Sequence, residues 1–134
     1  MIRFIKKLCK NNRFPILWTI LSIVLLCIPG SAIPGFGLFG IKHLDKVAHI
    51  ILFGGIVFSW SAFAFLNDGL SNKTLIVTCL ITIGSVALGI IMEFIQFYFI
   101  PNRLFDTGDI WANFVGSVLA LGLAIIMRRK LQPG

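Results

Sequence analysis

The stretch TLIVTCLITIGSVALGIIMEFIQFYFI, residues 74–100, decides the fold. It holds one charged side chain, Glu93, in an otherwise apolar or small-polar run. A bilayer core about 30 Å thick is crossed by about 20 apolar residues, so this run is read as a membrane-spanning helix. Its excess length is absorbed by tilt or by emergence into the interface. Working outward, Asn67-Asp68-Gly69 and Ser71-Asn72 form a short turn that joins it to an earlier apolar run, residues 47–66. A later run covers residues 110–127.

A further apolar run, residues 14–30, lies near the N-terminus. Pro15 opens it and Pro29-Gly30 closes it, since proline is tolerated in a first helical turn and not in a helix interior. It is short for a span, and two readings stay open. One is a retained transmembrane helix. The other is a signal peptide, with the basic stretch before it as n-region and Gly30-Ser31-Ala32 as the cleavage site. A lipoprotein signal is excluded because Leu26 precedes Cys27 where a small residue is required. The fold class expected is all-α, a polytopic membrane protein: a four-transmembrane-helix bundle forming one domain over residues 1–134.

Composition agrees. Of 134 residues, 57% are hydrophobic and 13% charged, and the mean hydropathy is +0.96. Soluble domains carry about 25% charged residues. Four spans leave room only for tails and short loops, which excludes a soluble catalytic, nucleotide-binding or receptor domain. The net charge of +7 reports topology rather than nucleic acid. Arg3, Lys6, Lys7, Lys10 and Arg13 precede the first run, Arg128, Arg129 and Lys130 follow the last, and Lys73 falls on the same side. Lys42, Lys46 and Arg103 fall on the other. The positive-inside rule then predicts both termini in the cytoplasm and a multi-pass protein of the plasma (inner) membrane. Cys9, Cys27 and Cys79 have no redox or metal spacing and are read as packing residues.

With that topology the polar residues collect at the outer end. The entry to the second span supplies Lys42, His43, Asp45, Lys46 and His49. The third supplies Glu93 and Gln96, the last loop Asn102, Arg103, Asp106 and Asp109, and the fourth span Asn113. Asp68 is the one carboxylate elsewhere. Asp45 and His49 share a helix face, as do Asp109 and Asn113. A carboxylate as deep as Glu93 needs a partner or a wet cavity, and Arg103, Lys46 and His49 are available. Plainer roles stand beside these: Asp45 as a helix N-cap, Asp106 as the N-cap of the last span with Asp109 completing a box-like arrangement, His49 as a packing histidine. Arg103 either pairs with an acidic residue or receives a phosphate or carboxylate, which its planar fork suits. Ala112, Gly116, Ala120 and Ala124 form a small-residue stripe suited to close helix packing.

Two patterns are set aside. Gly35-Phe36-Gly37-Leu38-Phe39-Gly40 matches a dinucleotide fingerprint by letter, but no strand precedes it, so no nucleotide is expected. The segment 33–41 is read as an apolar loop resting in the outer interface. Histidines and carboxylates on one side raise a metal site, yet no HExxH or comparable spacing occurs, and neither metal nor cofactor is expected.

The outer residues resemble a known family. Asp45-Lys46-x-x-His49-x-x-x-Phe53 is similar to the first signature of VanZ-like membrane proteins. Glu93-x-x-Gln96, with Arg103-x-x-Asp106-x-x-Asp109-x-x-x-Asn113-x-x-Gly116, is similar to the second. The likeness covers roughly residues 42–120. Ile50 and Ala120 depart from it, at positions that concern packing. The family is named for a member that confers low-level resistance to teicoplanin, a lipid-bearing glycopeptide, and most members have no established activity. The resemblance implies a multi-span protein with a shared polar outer site, not resistance itself.

The expected function is binding or modulation of an envelope amphiphile: a lipid headgroup, a lipid-linked precursor or a lipoglycopeptide. Lys46, Arg103, Gln96, Asp106 and Asn113 are the expected ligand contacts. The alternative is a membrane-embedded enzyme acting on a lipid headgroup, with His49 as acid/base, Asp45 orienting it, and Glu93 or Asp109 as a second carboxylate. A transporter using Glu93 ranks behind these, and a purely structural polar cluster also stays open. The partner expected is a membrane lipid or lipid-linked envelope molecule, with no nucleic acid and no nucleotide; a homo-oligomer stays open.

Overall fold

The computed structural model describes residues 2–29 and 44–131. The glycine-rich loop, the cleavage triplet, Lys42 and His43 lie outside the described residues. Among those described, all regular structure is helical, in chain order α1 (Ile2–Leu8), α2 (Arg13–Cys27), α3 (Leu44–Asn67), α4 (Asn72–Phe99) and α5 (Thr107–Leu131). Three helices, α3, α4 and α5, are long and apolar enough to cross a membrane, with mean hydropathies of 1.9, 2.5 and 2.1 over their most apolar stretches. At 15 residues, α2 is apolar but shorter.

Capping, more than hydropathy, decides where the long helices start. Ser71 precedes α4 in extended conformation, and its Oγ accepts the Thr74 N–H at 3.2 Å, so the helix begins before the apolar run does. Asp106 does the same for α5, its Oδ1 accepting the Gly108 N–H at 2.7 Å. Asp45 lies inside the first turn of α3 instead of preceding it. The helix α1 comes from the charged tail: Ile5, Leu8 and Cys9 turn inward while Lys6, Lys7 and Lys10 stay exposed.

Helix α3 is central and packs most extensively on α5. The small-residue stripe makes that contact. Ala112, Gly116, Ala120 and Ala124 are all buried. A Cβ on Gly116 would overlap the backbone of Ile50, and one on Gly54 would lie 3.2 Å from the Gly116 carbonyl oxygen. Without side chains between them the two backbones touch, which maximises dispersion contact where no hydrophobic effect drives helices together. On the other seam, the Ser85 and Ser117 hydroxyls pair at 3.1 Å and Gly89 makes room for Asn113. Helix α2 docks through two indoles: Trp18 Nε1 donates to the Leu52 carbonyl at 3.1 Å, and Trp60 Nε1 to Thr19 Oγ1 at 3.1 Å.

Large apolar side chains such as Ile76, Leu80, Ile83, Leu119 and Leu123 stay exposed on the outside of the bundle. The inside mixes apolar side chains such as Phe53, Val57, Phe65 and Met92 with Ser, Thr, Asn, Gln and Glu. An exterior more uniformly apolar than the interior suits a hydrocarbon surround. Antiparallel packing brings the start of α3, the end of α4 and the start of α5 to one end, which carries the polar network. The opposite end holds the α1–α2 turn, the α3–α4 turn and the end of α5, where Arg128 of α5 donates from Nε and Nη2 to the Leu70 carbonyl of the α3–α4 turn at 3.2 and 2.6 Å.

Candidate functional site: a charged network at one end of the bundle

The first two turns of α3 and α5 face each other, and the α4–α5 loop passes over them. From α3, Lys46 reaches across to α5. Its Nζ lies 2.5 Å from Asp106 Oδ2, 3.0 Å from Asp109 Oδ1 and 3.6 Å from Asp45 Oδ2. One turn deeper, His49 Nδ1 is 2.8 Å from Asn113 Oδ1 and Nε2 is 3.5 Å from Asp109 Oδ2. Asp109 thus holds Lys46 with one oxygen and faces His49 and Arg103 with the other, the Arg103 Nη2 also at 3.5 Å. Arg103 Nη2 is in turn 3.5 Å from His49 Nε2.

The amide of Asn113 fixes the histidine's tautomer. Its Nδ2 donates to the Gly89 carbonyl at 3.4 Å, which leaves Oδ1 as the acceptor and puts the hydrogen on His49 Nδ1. Nε2 is then the ring nitrogen that faces both Arg103 and Asp109.

Glu93 reaches the network through the backbone. Its Oε1 accepts the Asp106 N–H at 2.6 Å. In a capping box that N–H is taken by the residue three positions on. Here a carboxylate of another helix takes it, and Asp109 is released for Lys46, His49 and Arg103. Asn102, with φ of 63°, turns the chain between α4 and this cap. The Lys46 ammonium, and after it the Gly108 N–H, hold the Asp106 carboxyl below the usual aspartate range.

The cluster is layered. His49 and Asp109 keep 3% of their side-chain exposure, Arg103 and Lys46 24% and 26%, Asp45 and Asp106 40% and 46%. Four carboxylates, those of Asp45, Glu93, Asp106 and Asp109, meet two permanent cations, Lys46 and Arg103. Asp45, Asp106 and Asp109 bring oxygens within 4.8 Å of one another, a spacing a cation would accept. The Lys46 ammonium contacts all three, so the chain's own cation fills that place.

Of the residues singled out from sequence, Asp45, Lys46, His49, Glu93, Arg103, Asp106, Asp109 and Asn113 come together in this network. Gln96 does not join it: its Nε2 donates to the Leu26 carbonyl at 2.8 Å, near the end of α2. Its Oε1 and Glu93 Oε2 are buried with no hydrogen-bond partner among the described residues. Asp45 does not orient His49, whose contacts are with Asn113, Asp109 and Arg103. Sequence reasoning also missed the Gly89 carbonyl. The signal was present, because Gly89 stands one turn before Glu93 on the same face of α4. Compared with protein-family models, with curated proteins and with solved structures, the chain finds no match.

Proposed function

We propose that this chain is a VanZ-like protein of the plasma membrane with four spans, α2 being the first, and both termini cytoplasmic. In this reading its outward-facing network engages the headgroup of an envelope amphiphile, of the lipid, lipid-linked precursor or lipoglycopeptide class. Two kinds of observation support it. The two stretches that carry the family resemblance, far apart in sequence, meet residue against residue: Lys46 on Asp106 and Asp109, His49 on Asn113. Ile16, Leu17, Ile20, Leu21, Val24 and Leu25 of α2 are exposed, as a lipid-facing span requires.

The observation that carries the binding function is the state of Arg103. Both of its side-chain contacts use Nη2, at 3.5 Å, so Nε and Nη1 have no partner among the described residues. A guanidinium held at the rim by its edge offers paired N–H donors to a phosphate or carboxylate. Lys46, already engaged with three carboxylates, belongs to the scaffold. The half-buried Asp45 and Asp106 would receive amine or hydroxyl groups of the same headgroup, which favours a ligand carrying both an anionic group and hydrogen-bond donors. In the enzyme alternative His49 would move protons, but it is buried and both ring nitrogens face protein groups, so the geometry favours a positioning role.

Native mass spectrometry of protein released from its own membranes tests the binding function. A bound mass should be present in the wild type and lost in Arg103→Ala, with thermal unfolding little changed. Equal retention by both proteins removes Arg103 from ligand binding and leaves the network structural.

A further inference from the structure

The end of the bundle opposite the network contains a cavity of about 200 Å³ between α1, α2 and α3. Ile5 and Leu8 of α1, Cys9 just after it, Phe14 and Trp18 of α2, and Phe58 of α3 are among its walls. Its one hydroxyl, that of Ser59, is turned to the Ile56 carbonyl at 3.1 Å. Such a space takes hydrocarbon and offers nothing to a polar solute. Cys9 and Phe14 both line it, so the segment that joins them, residues 10–12 and Arg13 at the start of α2, runs beside its wall and is taken as its edge.

That edge is basic and uncompensated. Lys10 and Arg13 are exposed. No acidic residue occurs in the chain before Asp45. Among the described residues every ion pair belongs to the network at the other end, and none involves Lys6, Lys7, Lys10 or Arg13. An apolar cavity bordered by unpaired cations is the complement of one class of molecule, a hydrocarbon chain ending in an anion. We infer that the cavity binds an anionic phospholipid, one acyl chain lying between α1, α2 and α3 and the phosphate held at Lys10 and Arg13. A basic side chain near an anionic membrane surface contributes about fivefold in affinity, roughly 30-fold for two. This site is independent of the network and does not rest on the function proposed for it.

The test uses the full-length protein reconstituted in vesicles of equal phosphatidylglycerol and phosphatidylcholine, extracted in detergent and read by native mass spectrometry. The wild type should retain phosphatidylglycerol in preference. The double variant Lys10→Gln/Arg13→Gln should lower that preference roughly 30-fold. Ile5→Trp, which fills the cavity, should release both lipids while leaving the exposed charges in place. All arms are read in the Arg103→Ala background, where lipid held at the network is absent, so this site and the network are tested separately. In that background, equal retention of the two lipids without further substitution, an unchanged preference in the double variant, or retained phosphatidylglycerol in Ile5→Trp each overturns the inference.

Discussion

At one end of the bundle Lys46 touches three carboxylates, and Asp109 is shared among Lys46, His49 and Arg103. At the other, Lys6, Lys7, Lys10, Arg13, Lys73, Arg129 and Lys130 have no ion pair among the described residues, and Asp68 is exposed. The first end satisfies its charges inside the protein, through contacts from three helices and a loop. The second leaves its charges to water, salt and lipid. An internally paired cluster depends on geometry and is screened little by salt, whereas exposed like charges are screened over a Debye length of about 10 Å at 0.1 M. Stability should therefore be concentrated at the network end, and sensitivity to ionic strength and lipid charge at the other.

The most severe way to challenge this contrast is Asp109→Ala. Breaking a buried pair leaves cations without a partner, and a loss of about 3 kcal/mol is expected in thermal unfolding. If the loss is no larger than for a surface lysine, the network does not hold the end together. Next comes Gly116→Val, which forces α5 away from Ile50. Overpacking of this kind costs about 1–3 kcal/mol, and the network should loosen with it because Asn113 and Asp109 ride on the same helix. A third comparison uses acid. The Asp106 carboxyl is held below its ordinary value in the folded chain, so its contribution is present above the ordinary aspartate range and is lost as pH falls through the lower, folded value. A thermal-stability profile against pH should show an acid-side decline that Asp106→Asn reduces. The smallest effect belongs to the basic end: Lys6→Gln with Lys7→Gln should shift unfolding by less than about 0.5 kcal/mol. A large shift there would mean that these lysines have structural partners after all.

The long helices were legible because hydropathy reports them directly, and their centres agree with the apolar runs. Their ends were less so. The helix α5 begins at Thr107, ahead of the apolar run at 110, because Asp106 caps it, and capping is decided by a side chain outside the hydrophobic pattern. The membership of the site was legible from composition: in so apolar a chain, carboxylates have few places to go. Its pairings were not. Spacing along one helix put Asp45 beside His49, yet cross-helix contacts prevailed, and Asn113 and Asp109 took the imidazole. Gln96 shares a face with Glu93, but the side of α4 on which it stands meets α2, a packing choice that no single-helix pattern contains. The basic tail gave its charge openly and hid its structure, since α1, with seven residues, is too short for a periodicity to stand out.

The length of α2 has a consequence for the lipid around it. Fifteen residues at 1.5 Å each make a helix of about 22 Å, against about 42 Å for the 28 residues of α4. In the four-span reading the protein therefore presents a short flank and a tall flank to a hydrocarbon layer about 30 Å thick. In that reading the terminal carbonyls of α2 would fall short of the interface, and the Gln96 amide supplies a donor to one of them. Lipids would thin against the short flank, while the tall one would tilt or protrude. The annulus would then be uneven around its circumference, and neighbouring proteins whose own flanks are short would gather on the α2 side.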